Sequence, residues 1–140
     1  MTDSEYIQTR LDHQIDWYSN KASKNKLYNN WSKGLIIFFS ATIPLISGID
    51  FAEIPKNITL GLLGTMIAIL SGLSGFLKFQ EKWSEYRTTS ETLKHEKMLY
   101  QTQTGPYDNE TNPFKLLVTR VENLISKENS AWSQYINNEN

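Results

Sequence analysis

Apolar residues recur at spacings of three and four through Ile7, Leu11, Ile15, Tyr18 and Ala22, and then give way to continuous apolar runs. The spacing predicts an amphipathic helix, and Thr2-Asp3-Ser4-Glu5 at its start has the form of a capping box. Gly34–Ile49 and Asn57–Leu77 hold no charged residue. The second run forms a helix about 31 Å long, enough to cross a hydrocarbon core. The first gives about 24 Å by the same rise per residue. It reaches bilayer thickness with Trp31 and Phe51 at the interfaces and Lys33 snorkelling outward. Beyond the second run, Phe79, Trp83, Tyr86, Leu93 and Tyr100 mark a stripe on a helix continuous with it, which Gly105-Pro106 ends. Asn112-Pro113 supplies the cap and first turn of a last helix. There Phe114, Leu117, Val118, Val121, Leu124, Ile125 and Trp132 share one side, and Glu128 is the one charge intruding.

This pattern predicts an all-α membrane protein: an antiparallel two-helix transmembrane hairpin with amphipathic cytoplasmic helices forming a bundle, within a homo-oligomer. The single domain 1–140 divides into a cytoplasmic N-terminal helix (1–33), a first span (34–51), an external loop (52–56), a second span (57–77), a cytoplasmic extension (78–104) and a C-terminal cytoplasmic helix (105–140). Composition alone points elsewhere. With 14 Lys+Arg against 15 Asp+Glu and a mean hydropathy of −0.45, the averages describe a mildly acidic soluble protein. The averages hide a segregation, because about a quarter of the chain is free of charge. A helical hairpin buried in a soluble bundle is the competing expectation, but two such runs need a larger polar shell than 140 residues supply. A signal peptide does not fit a first run that begins only at Gly34.

Charge then sets orientation. Lys21, Lys24, Lys26 and Lys33 precede the first span, and Lys78, Lys82, Arg87, Lys94 and Lys97 follow the second. Between the spans only Lys56 stands, beside Asp50 and Glu53, so the positive-inside rule puts both termini in the cytoplasm. The amphipathic stripes require burial against one another, or against other copies. The first helix has a second option, lying flat on the inner leaflet through Lys21, Lys24 and Lys26, which Asp12 and Asp16 on its polar face oppose.

Within the second span, Gly61, Gly64, Thr65, Ala68, Ser71, Gly72 and Gly75 project into one sector about 120° wide. Gly64, Ala68 and Gly72 form a small-xxx-small series that admits another helix backbone in lipid. Ser40, Ala41, Pro44, Ser47 and Gly48 make a looser stripe in the first span, where Pro44 removes a helix hydrogen bond and predicts a kink. Two readings stand open: a pore lining, or a helix-packing face. Lys33 and Lys78 are expected at similar depth near the inner mouth. Neither charge-free run, Gly34–Ile49 or Asn57–Leu77, holds an ionisable residue, which argues against proton relays, voltage sensors and ion-coupled transport sites.

Catalytic chemistry finds no constellation. There is no Cys, His13 and His95 stand alone, and His95-Glu96 lacks the second His of a zincin helix. The glycines from Gly61 to Gly75 have no following Lys-Ser/Thr, so no phosphate loop is formed. Asp12 and Asp16 lie one turn apart and read as a solvated face, as does Glu91 with Lys94. No enzyme, cofactor or metal is expected, and the near-neutral charge removes nucleic acid as a partner.

Taken in order, Gln14-Ile15-Asp16-Trp17-Tyr18 with Lys21-Ala22, Ile43-Pro44, and Lys78-Phe79-Gln80-Glu81-Lys82-Trp83 resemble the SLATT family of bacterial two-transmembrane effector domains. These domains are associated with SMODS nucleotidyltransferases and SLOG nucleotide sensors. The likeness continues through Tyr86-Arg87, Glu91, Leu93-Lys94, Glu96-Lys97, Gly105-Pro106-Tyr107, Arg120-Val121-Glu122, Glu128-Asn129 and Trp132, and covers roughly residues 5–133. The resemblance implies a pore-forming effector in the bacterial inner membrane, disrupting membrane integrity when a nucleotide-signalled antiviral defence system is triggered. Its partners would be the lipid bilayer, further copies of itself and a separate nucleotide-sensing or defence protein. Tyr86, Arg87, Glu91 and the Gly105-Pro106-Tyr107 turn are candidates for subunit contacts or trigger reception. Trp17, Tyr18, Trp83 and Trp132 are candidates for bundle packing. The alternative is a non-conducting membrane scaffold that recruits a cytoplasmic partner.

Overall fold

The structure, a computed structural model, describes residues 2–48 and 55–138, apart from the side chains of residues 129 and 131–138. Every regular element among them is helical. Helix α1 (Asp3–Gly48) opens on the expected capping box: Thr2 Oγ accepts from the Glu5 N–H at 3.3 Å, and the Glu5 carboxylate accepts from the Thr2 N–H. One widened turn, Ile7–Leu11, interrupts its regular pitch. Helix α2 (Lys56–Leu77), helix α3 (Phe79–Thr102), a short turn of 3₁₀ helix at Gly105–Tyr107, and helix α4 (Pro113–Asn138) follow.

The N-terminal helix and the first span are segments of one helix, because nothing between Tyr28 and Gly34 breaks the backbone ladder. One junction differs from the sequence expectation: the second span and the extension are not continuous. Lys78 adopts φ 47, ψ 42, a left-handed conformation between α2 and α3. That costs a non-glycine residue roughly 1–2 kcal/mol, and no Gly or Pro at the position announces it. Residues 49–54, including Phe51, Asp50, Glu53 and most of the expected loop, lie outside the described residues, as does the Trp132 side chain.

The chain divides into two compact units, Met1–Asn20 with Glu85–Asn140, and Lys21–Ser84. The first unit is a helical bundle. Its core joins Leu11, Ile15 and Tyr18 of α1, Leu93 of α3, Tyr107 of the 3₁₀ turn, and Leu117, Val121 and Ile125 of α4. These are the periodic positions of the sequence stripes, so the first helix spends its apolar face on the bundle rather than on a membrane surface. The α3 end is closed by a Schellman arrangement: Gln103 sits at φ 51, its N–H reaches the Tyr100 carbonyl at 3.2 Å, and the Thr104 N–H reaches that of Leu99 at 3.1 Å. Gly105 follows at φ +62, where a side chain is strained. Asn112 Oδ1 accepts from the Lys115 N–H at 3.1 Å and caps α4, with Pro113 at its first position.

The second unit holds the apolar segments. Both α1 and the α2–α3 stretch are long and apolar enough to cross a membrane. No residue of α2 is buried, so this chain by itself does not shelter the apolar run inside a soluble bundle. Ile58 is 68% exposed and Phe76 82%, a display that water would penalise and lipid would not.

Candidate functional site

Helix α2 has three distinct sides. Leu60, Leu63, Ile67, Leu70, Ser74 and Leu77 are half-buried. Ile58, Leu62, Met66, Ile69, Leu73 and Phe76 form a bulky exposed side. Gly61, Gly64, Thr65, Ala68, Ser71, Gly72 and Gly75 form the third side and are all exposed. A Cβ placed on Gly61, Gly64, Gly72 or Gly75 would meet nothing within 4 Å. Nothing among the described residues therefore requires glycine at those four positions. In α1 the same holds for the looser stripe: Ser40, Ala41, Pro44, Ser47 and Gly48 are exposed, while Leu35, Ile36, Phe39, Thr42, Ile43 and Ile46 are half-buried. Pro44 lies within α1. The hydroxyls are adapted to an apolar setting, since Thr65 Oγ donates to the Gly61 carbonyl at 2.9 Å and Thr42 Oγ to that of Phe38 at 2.8 Å.

Where the apolar segments end, side chains of α1 meet those of α3 within the second unit. Lys33 Nζ donates to Gln80 Oε1 at 2.8 Å, the rings of Tyr28 and Phe79 lie 5.6 Å apart, and Lys26 Nζ stands 5.7 Å above the Trp83 ring. Lys33 thus reaches a residue two positions beyond Lys78.

The trigger candidates fall into two environments. Arg87 and Glu91 pair at 3.1 Å on the surface, with Lys94 on the same carboxylate, an exposed arrangement that adds little stability. Tyr86, by contrast, packs edge-on against Trp17 at 5.9 Å and near Tyr18 at 6.1 Å. Tyr107 is 1% exposed, and its hydroxyl donates to Glu96 Oε2 at 2.7 Å. Pro106 and Gly105 beside it stay exposed.

The sequence did not single out the polar cluster around Glu96. This carboxylate is 4% exposed and receives the Arg120 guanidinium in a two-pronged contact, at 2.8 Å from Nε and 2.6 Å from Nη2. The Arg120 hydrogen bonds, aided by Tyr107, outweigh burial and hold Glu96 below the usual carboxylate range. A second fork joins Arg10 to Glu122, which also accepts from the Tyr6 hydroxyl at 3.0 Å. Asp12, read as solvated, accepts from Lys97 Nζ at 2.6 Å. One signal was available: Glu96 falls between Leu93 and Tyr100 on the apolar stripe, and a charge in a stripe needs a partner. Tyr100 itself donates to Asp3, and burial and that carboxylate push its hydroxyl up to about 12.

Glu128, the charge intruding on the last helix, is raised above the carboxylate range by burial and by the charge of Glu85, against a hydrogen bond from Tyr18. Its Oε2 has no hydrogen-bond partner among the described residues. A raised folded value means stability present in acid and lost as pH climbs through that value. Glu128→Gln is therefore expected to raise the thermal midpoint at pH 7, with the gain vanishing below the unfolded carboxylate value of 4.5. A midpoint difference independent of pH would refute this.

The fold thus defines an all-helical protein with two potential membrane-crossing helices and a separately cored helical bundle. Among the described residues no group of three His, Cys, Asp or Glu is placed to hold a metal. Residues 13–115 match the family model described as protein of unknown function (DUF4231), and the chain belongs to that family. No curated protein and no solved structure matches the chain. The family match takes in both apolar segments, the Lys78 junction, Glu96 and the Gly105–Tyr107 turn.

Proposed function

We propose that the chain is a pore-forming effector that assembles as a homo-oligomer in the bacterial inner membrane, in the manner implied by its resemblance to the SLATT family. In this reading the two apolar segments form an antiparallel hairpin with both termini in the cytoplasm, the bundle of α1, α3 and α4 receives the trigger, and no catalytic step is involved. The observation that carries it is the exposed small-residue side of α2. A helix that met only lipid there would have no use for four glycines, whereas a helix backbone from another copy approaches closely over them. The bulky side of the same helix faces lipid, so the two exposed sides have different roles. A separate nucleotide-sensing protein, or a small ligand at the bundle, supplies the opening signal.

The test is flux from liposomes holding the purified full chain. Loss of an entrapped ion or dye, when a defence nucleotide or sensor is added, is the expected result. Tight vesicles under every such addition, with insertion verified by protease protection, refute the pore and leave a membrane scaffold that recruits a cytoplasmic partner.

A further inference from the structure

We infer that the outward side of α1 between Lys24 and Phe38 seats one anionic glycerophospholipid. The inference rests on the membrane reading above and deepens it. The near-neutral net charge of −1 divides unequally between the two units. Lys21–Ser84 carries seven lysines against Asp50, Glu53 and Glu81, a net +4, while the remainder carries seven basic and twelve acidic residues, a net −5. Six of the seven lysines, Lys21, Lys24, Lys26, Lys33, Lys78 and Lys82, stand at the end of the apolar segments that adjoins α3, whereas of the unit's three acidic residues Glu81 alone falls at that end of the sequence segments. Anionic headgroups are the opposite charge available at that depth.

A second feature on the same helix selects an amphiphile over a free phosphate. Leu27, Asn30, Trp31, Gly34, Leu35 and Phe38 line an open apolar concavity on α1. Gly34 forms its floor, with nothing within 4 Å of where a Cβ would stand, and Trp31 and Phe38 are 64% and 63% exposed on either side. Lys24 lies on the same helical side, three residues before Leu27, and is exposed. A phosphate at Lys24 puts the glycerol esters near the Asn30 amide, about 9 Å further along the helix, and leaves an acyl chain free to run over Gly34 between Trp31 and Phe38. Lys26 and Lys33, held by Trp83 and Gln80, add positive charge without blocking the concavity.

The experiment uses tryptophan fluorescence of the full chain in vesicles that contain phosphatidylcholine and a minority of phosphatidylglycerol, with bromine on the acyl chains of one lipid at a time. At equal mole fraction, brominated phosphatidylglycerol is expected to quench about fivefold more effectively, the factor that one lysine near an anionic surface supplies. The preference should fall at high salt and in Trp31→Phe, which removes the tryptophan at the concavity and leaves Trp17, Trp83 and Trp132 to report. It should also fall in Gly34→Leu, which fills the concavity with every charge retained, and in Lys24→Gln, while Lys115→Gln on α4 leaves it intact. Equal quenching by the two lipids overturns the inference and leaves the lysine collar to an acidic protein partner. Quenching by neither lipid overturns the membrane reading itself.

Discussion

Replacing Gly64 and Gly72 together by leucine is expected to weaken self-association in detergent or lipid by at least about tenfold, near 1.4 kcal/mol, and to abolish any liposome flux. The single chain should tolerate the change. Added Cβ atoms at both positions meet nothing within 4 Å, and both positions lie inside α2 with ordinary helical backbone. Leucine even favours the helix over glycine, by about 1 kcal/mol per position on aqueous scales. Loss of assembly with unchanged helical content therefore locates the requirement for glycine between copies. The matched control is Leu62→Ala with Leu73→Ala on the bulky exposed side, which should leave the oligomer intact. Unchanged association of the glycine variant, read by crosslinking and by mass in detergent, would remove the small-residue side from the subunit interface.

The way this side was legible in the sequence shows what single-chain patterning conveys. Gly61, Gly64, Ala68, Gly72 and Gly75 share a sector by helical periodicity alone, so their common side needed no coordinates. Whether that side was spent within the chain was not readable, because periodicity fixes a sector without naming its neighbour. The structure supplies that fact by leaving the sector exposed while Leu63, Ile67 and Leu70 are half-buried. The core of the bundle was legible for the same reason, since Leu11, Ile15, Tyr18, Leu117, Val121 and Ile125 all sit on spacings of three and four. Caps at Thr2 and Asn112 were local signals and are local in the structure. Lys78 was not readable, because a left-handed lysine carries none of the glycine signature that marks such a turn. The ion pairs were missed because their partners stand far apart in sequence: Arg10 and Glu122 are 112 residues apart, and Asp12 and Lys97 85 apart.

Glu96 makes the strongest case that such long-range pairing matters. It joins three successive elements, with its own carboxylate on α3, Tyr107 from the turn and Arg120 from α4. Arg120→Met is expected to destabilise the bundle by about 3 kcal/mol at neutral pH, because among the described residues it leaves a buried carboxylate with the Tyr107 hydroxyl as its one hydrogen-bond donor. The arginine itself is 43% exposed in its side chain, so solvent screens the attraction it contributes. The damage comes mainly from the anion left behind. Removing that anion as well should undo part of the loss: Glu96→Met combined with Arg120→Met is expected to be milder than Arg120→Met alone. What remains is the orphaned Tyr107 hydroxyl, about 1–3 kcal/mol, which adding Tyr107→Phe should partly recover. Acidification separates these effects. In the native chain the depressed Glu96 contributes stability above the unfolded carboxylate value of 4.5 and loses it as pH falls through its lower folded value. In Arg120→Met the guanidinium is gone and burial is opposed by Tyr107 and His95 alone among the causes that shift Glu96, so the variant loses less stability on acidification than the native chain. The stability difference between the two should therefore be greatest near pH 7 and shrink steadily toward pH 3, as read by thermal midpoints in detergent. A difference that stays constant over this range would mean that Glu96 is hydrated in the folded chain, and that the α3–turn–α4 clamp rests on Leu93, Tyr107 and Leu117 packing alone.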